Sequence, residues 1–346
     1  MRLELEALGE KRSYSAAVEA RLLAGLTHAD QDVRGHACWG LGRMAPQTRA
    51  AIPALVQAMA DPVWAVQHNA AWALVEFGEL ARPALEAALT DAALPRRVRA
   101  AVALAGMAGA APKAEPVLLA AWAAADPDTR TAILQGLSKL KPPSAAAVAL
   151  AAGCLEGPLA MPALDAVAAM GPAAAAALPT LVKMATSSKD KQWLRKLPEV
   201  LGALGVATAE VTGLLQTMLD SGDEHLCAAA SGALSQLNAI DALGTALKSP
   251  SKRVRMNAVQ GLAAIRVLDE PRLALLLLAF DDREWQVRLA AVAAFHGRQE
   301  KLATKAIPAL IKATKDEHEA VRGHAKATLD LLKAAIAQDG LRKVLQ

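Results

Sequence analysis

His36 and His324 stand in the same phrase, Arg-Gly-His-Ala, near opposite ends of this chain. The repetition invites a metal reading, but ligands must converge on one point, and most of the chain separates the two. His318-Glu319 is the only His-Glu pair. Cys38, Cys154 and Cys227 are far apart and lie inside helical pattern, so they read as core thiols of a reducing compartment rather than as a disulfide framework or a thiolate site. The chain has no P-loop, no Gly-x-Gly-x-x-Gly and no His-Glu-x-x-His, and no serine or cysteine has a visible base. These observations predict no catalytic residue, no metal and no cofactor. Non-covalent chemistry is left, and its strongest carriers are tryptophans: Trp64 and Trp285 each stand two residues before a recurring valine, and Trp193 one residue before a recurring leucine.

That recurrence organises the whole sequence. Val-Arg or a variant returns about every 32 residues, at Val33-Arg34, Val66-Gln67, Val98-Arg99, Thr129-Arg130, Leu194-Arg195, Leu226-Cys227, Val254-Arg255, Val287-Arg288 and Val321-Arg322. With the first residue of each as position zero, apolar or small residues recur at plus 4, 7, 8 and 11, one face of an α-helix. The plus 7 site is compact, as at Gly40, Ala73, Gly136 and Gly261, which predicts close approach of a partner helix. Upstream lies a second helical pattern, clearest where it opens with proline at Ile52-Pro53, Leu178-Pro179 and Ile307-Pro308. Aspartate or serine turns such as Asp61-Pro62, Asp126-Pro127 and Ser249-Pro250 separate the two. The unit is helix, tight turn, helix, and such units bury their apolar faces by stacking. The composition agrees: 54% of residues are apolar but only 3% aromatic, which suits helices packed through alanine and leucine.

The aspartate turn, the Val-Arg dipeptide and the alanine-rich second helix resemble the HEAT-repeat family, including the bacterial repeats called phycobilisome-lyase HEAT-like. The resemblance covers roughly residues 15–335. It implies an all-α, right-handed α-α superhelix of about ten helix pairs, a single solenoid over residues 1–346. Residues 1–14 and 325–346, the latter with Arg342 and Lys343, are expected to be terminal caps. The stretch 143–200 is expected to be irregular, because Pro162 replaces an arginine and Pro198 stands at a plus 4 site, where it should bend or delay the helix. The family pattern implies that turn aspartates and Val-Arg arginines link neighbouring repeats, which makes Arg99, Arg130, Arg255, Arg288 and Arg322 structural. It also implies that second helices line a concave groove. HEAT-like deoxyhypusine hydroxylases need several His-Glu pairs, so that activity is not expected.

In helical projection Trp64 and Trp285 point away from the core stripe, together with His68, Ala71 and Val75, Met107, Leu134, Met256 and Val259, and Leu289 and Val292. The expectation is an apolar groove in which Trp64, His68, Val75, Met256, Trp285, Leu289 and Val292 take a peptide or helix of a protein partner. Arg96, Arg97, Lys189, Lys191, Lys252 and Arg253 stand at the turns, where they could meet an anionic partner. Net charge is +4, with 15 basic and 16 acidic residues over 1–171 and 23 and 18 over 172–346, a modest excess that does not commit the chain to nucleic acid. The leading expectation is therefore a non-enzymatic, cytoplasmic, bacterial protein-binding scaffold. One alternative is a nucleic-acid-binding protein resembling the bacterial HEAT-like alkylpurine DNA glycosylases, and another is a chromophore-lyase-like protein. The first residues lack the apolar core of a secretory signal, and the alanine-rich stretch 145–181 is broken by charges and prolines, so no membrane span is expected.

Overall fold

The computed structural model describes residue 6, residues 14–298 and residues 300–344, with side chains to residue 337. The expected N-terminal cap over 1–14, apart from residues 6 and 14, and the side chains of Arg342 and Lys343 lie outside the described residues. Contacts divide the chain into two compact units, residues 1–177 and 178–346. Each contains five pairs of α-helices among the described residues.

In the first unit the pairs are α1 (Ala16–Gly25) with α2 (Gln31–Arg43), α3 (Ile52–Ala58) with α4 (Trp64–Glu76), α5 (Arg82–Ala88) with α6 (Leu94–Ala105), α7 (Ala111–Ala121) with α8 (Pro127–Leu137), and α9 (Ala145–Gly153) with α10 (Ala160–Met170). The second unit contains α11 (Leu178–Ser187) with α12 (Lys191–Leu204), α13 (Ala209–Leu219) with α14 (Glu224–Gln236), α15 (Ile240–Ala246) with α16 (Lys252–Ala264), α17 (Glu270–Leu278) with α18 (Trp285–Ala293), and α19 (Ile307–Ala313) with α20 (Glu319–Val344). The first helices are short and often open on proline, at Pro53, Pro83, Pro112 and Pro308, where the missing N–H has no partner to lose. Side-chain caps start others: Asp30 accepts from the Asp32 amide, Asp126 from Thr129 and Ser144 from Ala147.

Burial follows the repeat phase. Val66, Ala70, Ala73 and Leu74 are core in α4, as are Val254, Ala258 and Leu262 in α16. The compact plus 7 sites sit where the two helices of a pair approach. A Cβ at Gly40 would lie 2.8 Å from Leu22, one at Gly136 2.8 Å from Leu118, and one at Gly261 2.9 Å from Leu243.

Electrostatic ties join neighbouring repeats within each unit. Arg34 grips Asp61 at 2.6 and 2.9 Å while its other nitrogen donates to the carbonyls of His28 and Ala29. Arg255 repeats the pattern with Asp282 and the carbonyls of Ser249 and Pro250, and Arg288 with Asp316 and the carbonyls of Asp282 and Arg283. Arg195 holds Asp223, and Arg322 donates to the carbonyls of its own turn, Asp316 and Glu317. Arg34, Arg255 and Arg288 thus staple their own turns to the next, whereas Arg322 is bonded only to its own turn. The expected linking role holds for Arg255 and Arg288 but not for Arg99 or Arg130. Arg130 donates to the Trp122 carbonyl and lies over that ring.

Proline behaves differently from expectation in the centre. Pro162 falls in the first turn of α10, where it is tolerated. Pro198 lies inside α12, yet the helix runs unbroken from Lys191 to Leu204. One hydrogen bond is lost there, but buried Leu197, Val200, Leu201 and Leu204 hold the helix on both sides of the ring. The irregularity comes instead at Gly171, φ 61°, which ends α10 and starts a 3-10 segment over Gly171–Ala177. Residues 160–187 are long and apolar enough to cross a membrane, an 18-residue window within them having a mean hydropathy of 1.4, but this interruption divides them into separate helices.

Candidate functional site

The best-formed chemical site lies in the first unit, where the second helices α4, α6 and α8 run side by side. The last turn of α8 and the residues after it close one end of a cavity of about 370 Å3. Trp72 and Val75 of α4 and Val102 of α6 form its apolar walls, with His68, Arg99 and Lys139 as its basic groups and Gln135 and Ser138 beside them. The α4 contribution follows from helix spacing: His68, Trp72 and Val75 are four and three residues apart and share one face.

Arg99 dominates the electrostatics. It is 3% exposed, and its guanidinium carbon lies 5.4 Å from the centre of the Trp64 ring. Trp64 stacks in turn on His68, with centroids 5.0 Å apart and planes 13° from parallel. The Arg99 Nε donates to Gln67 Oε1 over a long 3.4 Å, and neither Nη group has a hydrogen-bond partner among the described residues. Burial pushes the Arg99 pKa down, while Asp128 and Asp126 pull it up from beyond ion-pairing distance. Partial desolvation at the cavity rim lowers Lys139, with Arg99 adding to the effect, and lowers His68, with Arg99 and then Lys139 adding. Lys139 Nζ reaches only the Val102 carbonyl, at 3.5 Å. A cation–π contact contributes about 0.5–2 kcal/mol, whereas a buried charge lacking its partner costs about 3–5 kcal/mol. The ring therefore only partly offsets the cost of burying the side chain, and the unpaired Nη groups open on the cavity.

At Arg99 the stapling is broken. Asp61, Asp282 and Asp316 stand five residues before position zero of their repeats, but Asp126 stands three before its own and caps the Thr129 amide at 2.7 Å. Gln67 occupies the arginine position of the preceding repeat and donates to the Asp61 carbonyl. Arg99 pairs with neither Asp126 nor Asp128 and lies against Gln67 and Trp64.

The expected groove residues separate into three groups. Trp64 and Val75, each 39% exposed, and exposed His68 lie together on the first unit. Met256, Trp285 and Leu289 are half-buried in the second unit, where Trp285 stacks on His318 at 3.7 Å with planes 4° apart. Val292 is fully buried and is a core residue. The outward face is narrower than helical projection implies, because Ala71, Leu134 and Val259 are buried too, packed between repeats. Trp193, at 1%, is also core.

Among the turn cations, Arg96 is paired with Asp91 at 2.7 Å and Arg97 donates to the Asp91 carbonyl at 2.6 Å, so both are spent on their own turn. Arg253 donates to the Gly222 carbonyl and lies 3.9 Å from Glu224. Lys189, Lys191 and Lys252 are exposed. Sequence reasoning missed Arg99, Lys139 and Trp72. The available signal was the loss of arginine at Gln67 together with the displaced Asp126.

The HEAT-repeat family matches residues 19–105, a segment that includes most of this site's aromatic and basic side chains. Among curated proteins none matches the chain in sequence. Solved structures similar to the chain include Kap121p, with 13% identity, 99% of this chain and 47% of that chain covered and a TM-score of 0.46. Another is importin beta, with 12% identity, 91% and 50% coverage and a TM-score of 0.49. A third is Kap95p, whose binding induces the switch loops of RanGDP to adopt the GTP-bound conformation, with 13% identity, 91% and 50% coverage and a TM-score of 0.48. The chain spans about half the length of these proteins. Residues 19–105 are thus HEAT repeats by sequence, and the fold of the chain is that of a HEAT-repeat solenoid.

Proposed function

We propose that this chain is a non-enzymatic cytoplasmic scaffold that holds a peptide or helix of a protein partner against the second-helix face of its first unit. The observation that carries the reading is the exposed stack of Trp64 on His68 at the rim of a cavity walled by Trp72 and Val75. A large, rigid aromatic surface beside a pocket is what anchors a partner side chain with little entropic cost. Trp285, with Met256 and Leu289, offers a second, shallower apolar face in the other unit. The three free cysteines suit a reducing compartment. The bacterial phycobilisome-lyase-like subtype of the repeat, and with it a chromophore-lyase reading, rests on the repeat type alone.

The test is site-specific photo-crosslinking from Val75 in cells, followed by mass spectrometry of the captured chain. A single protein captured by the intact chain and lost in Trp64→Ala supports the reading. Capture that is indifferent to Trp64 refutes it. Nucleic acid is the second reading, favoured by Arg99 and Lys139 sharing one cavity, and it predicts captured oligonucleotide and binding that weakens steeply with salt.

A further inference from the structure

We propose that the cavity between Trp72, Arg99 and Lys139 is a carboxylate-binding subsite that takes an acidic residue of the bound peptide. The inference rests on the scaffold reading above and names the chemistry of its partner.

Three basic groups, His68, Arg99 and Lys139, line the cavity, and no carboxylate does. Arg99 is almost wholly buried, yet its two Nη groups have no partner among the described residues. A guanidinium whose stem is buried and whose unpaired Nη groups open on a cavity can receive an anion. Its shape selects the anion. Trp64 covers the guanidinium, so its edge is what remains to be met, and a planar two-pronged edge matches a carboxylate. The chain supplies its own precedent, since Arg34, Arg255 and Arg288, in the same position of their repeats, each hold an aspartate through two parallel bonds. Arg99, in that same position, holds no carboxylate, since Asp126 accepts from the Thr129 amide and does not reach it. The ligand supplies the missing carboxylate, and Lys139 stands ready as a second donor. The apolar walls fit the stem of a glutamate or the flanking apolar side chain of an acidic segment. At about 370 Å3 the cavity lies at the small end of ligand sites and suits a single side chain.

The experiment titrates the full chain into two fluorescein-labelled peptides, one alternating glutamate and leucine and the other with every glutamate replaced by glutamine, and reads anisotropy. Inorganic phosphate and oligothymidylate serve as competitors. The glutamate peptide should bind about tenfold or more tightly than its glutamine counterpart, as loss of a charge-assisted hydrogen bond requires. Arg99→Gln and Lys139→Gln should each remove most of that difference while leaving the glutamine peptide unchanged. Arg99 is buried, so circular dichroism must show that its variant folds. Lys139 is exposed, and its variant alone decides the matter if the other does not fold. Equal binding of the two peptides, unaffected by Lys139→Gln, overturns the subsite and leaves the scaffold reading standing. Binding of neither overturns both. Phosphate displacing the glutamate peptide at equal concentration overturns the peptide as the source of the anion, and oligothymidylate binding more tightly than either peptide overturns it in favour of nucleic acid.

Discussion

Asp316→Ala removes one staple and leaves its arginine behind. Arg288 and Asp316 have side chains only 9% and 10% exposed and are joined by parallel bonds of 2.7 and 2.8 Å. Losing one partner of such a pair costs about 3–5 kcal/mol. Part is recovered, because Glu317, 82% exposed, already meets Arg288 at 2.9 Å, and a solvent-exposed pair returns at most about 1 kcal/mol. Asp316 also accepts from the His318 amide at the start of α20, a contact of the capping kind worth about 1 kcal/mol. The net expectation is about 3 kcal/mol, a fall of roughly 6–12 °C in the melting midpoint of the second unit. Hydrogen exchange should show the lost protection confined to α18, α19 and α20, since repeat stability is a nearest-neighbour property. The effect should also depend on pH. The hydrogen bond from Arg288 holds the Asp316 carboxyl below its usual value, so the pair's contribution is complete above the unfolded aspartate pKa of about 3.9 and vanishes as pH falls through the lower folded value. The difference between the variant and the parent should therefore be constant near neutrality and shrink below about pH 4. Glu317→Ala is the control and should cost less than about 1 kcal/mol. Equal losses from the two variants, or a difference that persists unchanged into acid, would refute the stapling argument.

Trp64→Ala should weaken a protein partner about thirtyfold, at least 2 kcal/mol, with little change in melting, whereas charge reversal at Lys252 and Arg253 should change affinity little and leave salt dependence weak. Val292→Ala should cost about 1–2 kcal/mol because the side chain is core, and Val75→Ala under about 0.5 kcal/mol because its side chain is 39% exposed; chemical denaturation compares them directly. Gly42→Ala would place a methyl 2.8 Å from the Ala73 Cα and should destabilise by about 1–3 kcal/mol. Gly323→Ala meets nothing within 4 Å inside α20 and should stabilise by about 0.5–1 kcal/mol. A Gly42 variant that melts no lower than the parent would show that α2 and α4 are not as close as described.

The repeat was legible because its causes are local and periodic. A valine at zero with small residues at plus 4 and plus 7 fixes which face of a helix must be buried, and stacking is the one way for short helices to bury it. Even the pairing of Arg255 with Asp282 follows from position. The outward face was harder to read, because helical projection sorts residues into two faces and a second helix in a stack has more than two neighbours. Val292 and Val259 point away from their own pair and are buried all the same, and projection alone placed them with Trp64.

Arg99 shows where positional reasoning stops. Its register is that of Arg34 and Arg288, so by pattern it belongs to the scaffold, and nothing at its own position sets it apart. A shift of two residues puts Asp126 at the cap of α8, and a single replacement makes the preceding arginine a glutamine at Gln67. Each change is unremarkable by itself, because aspartate at a helix start and glutamine in a helix are both ordinary. Beside these two departures one guanidinium is left out of the staple and lies toward Trp64 and Lys139. A guanidinium left out of the staple in this way, with its unpaired Nη groups open to a cavity, is completed by a carboxylate from outside. In a repeat protein the place to look for function is therefore the unit where a structural bond is missing its partner.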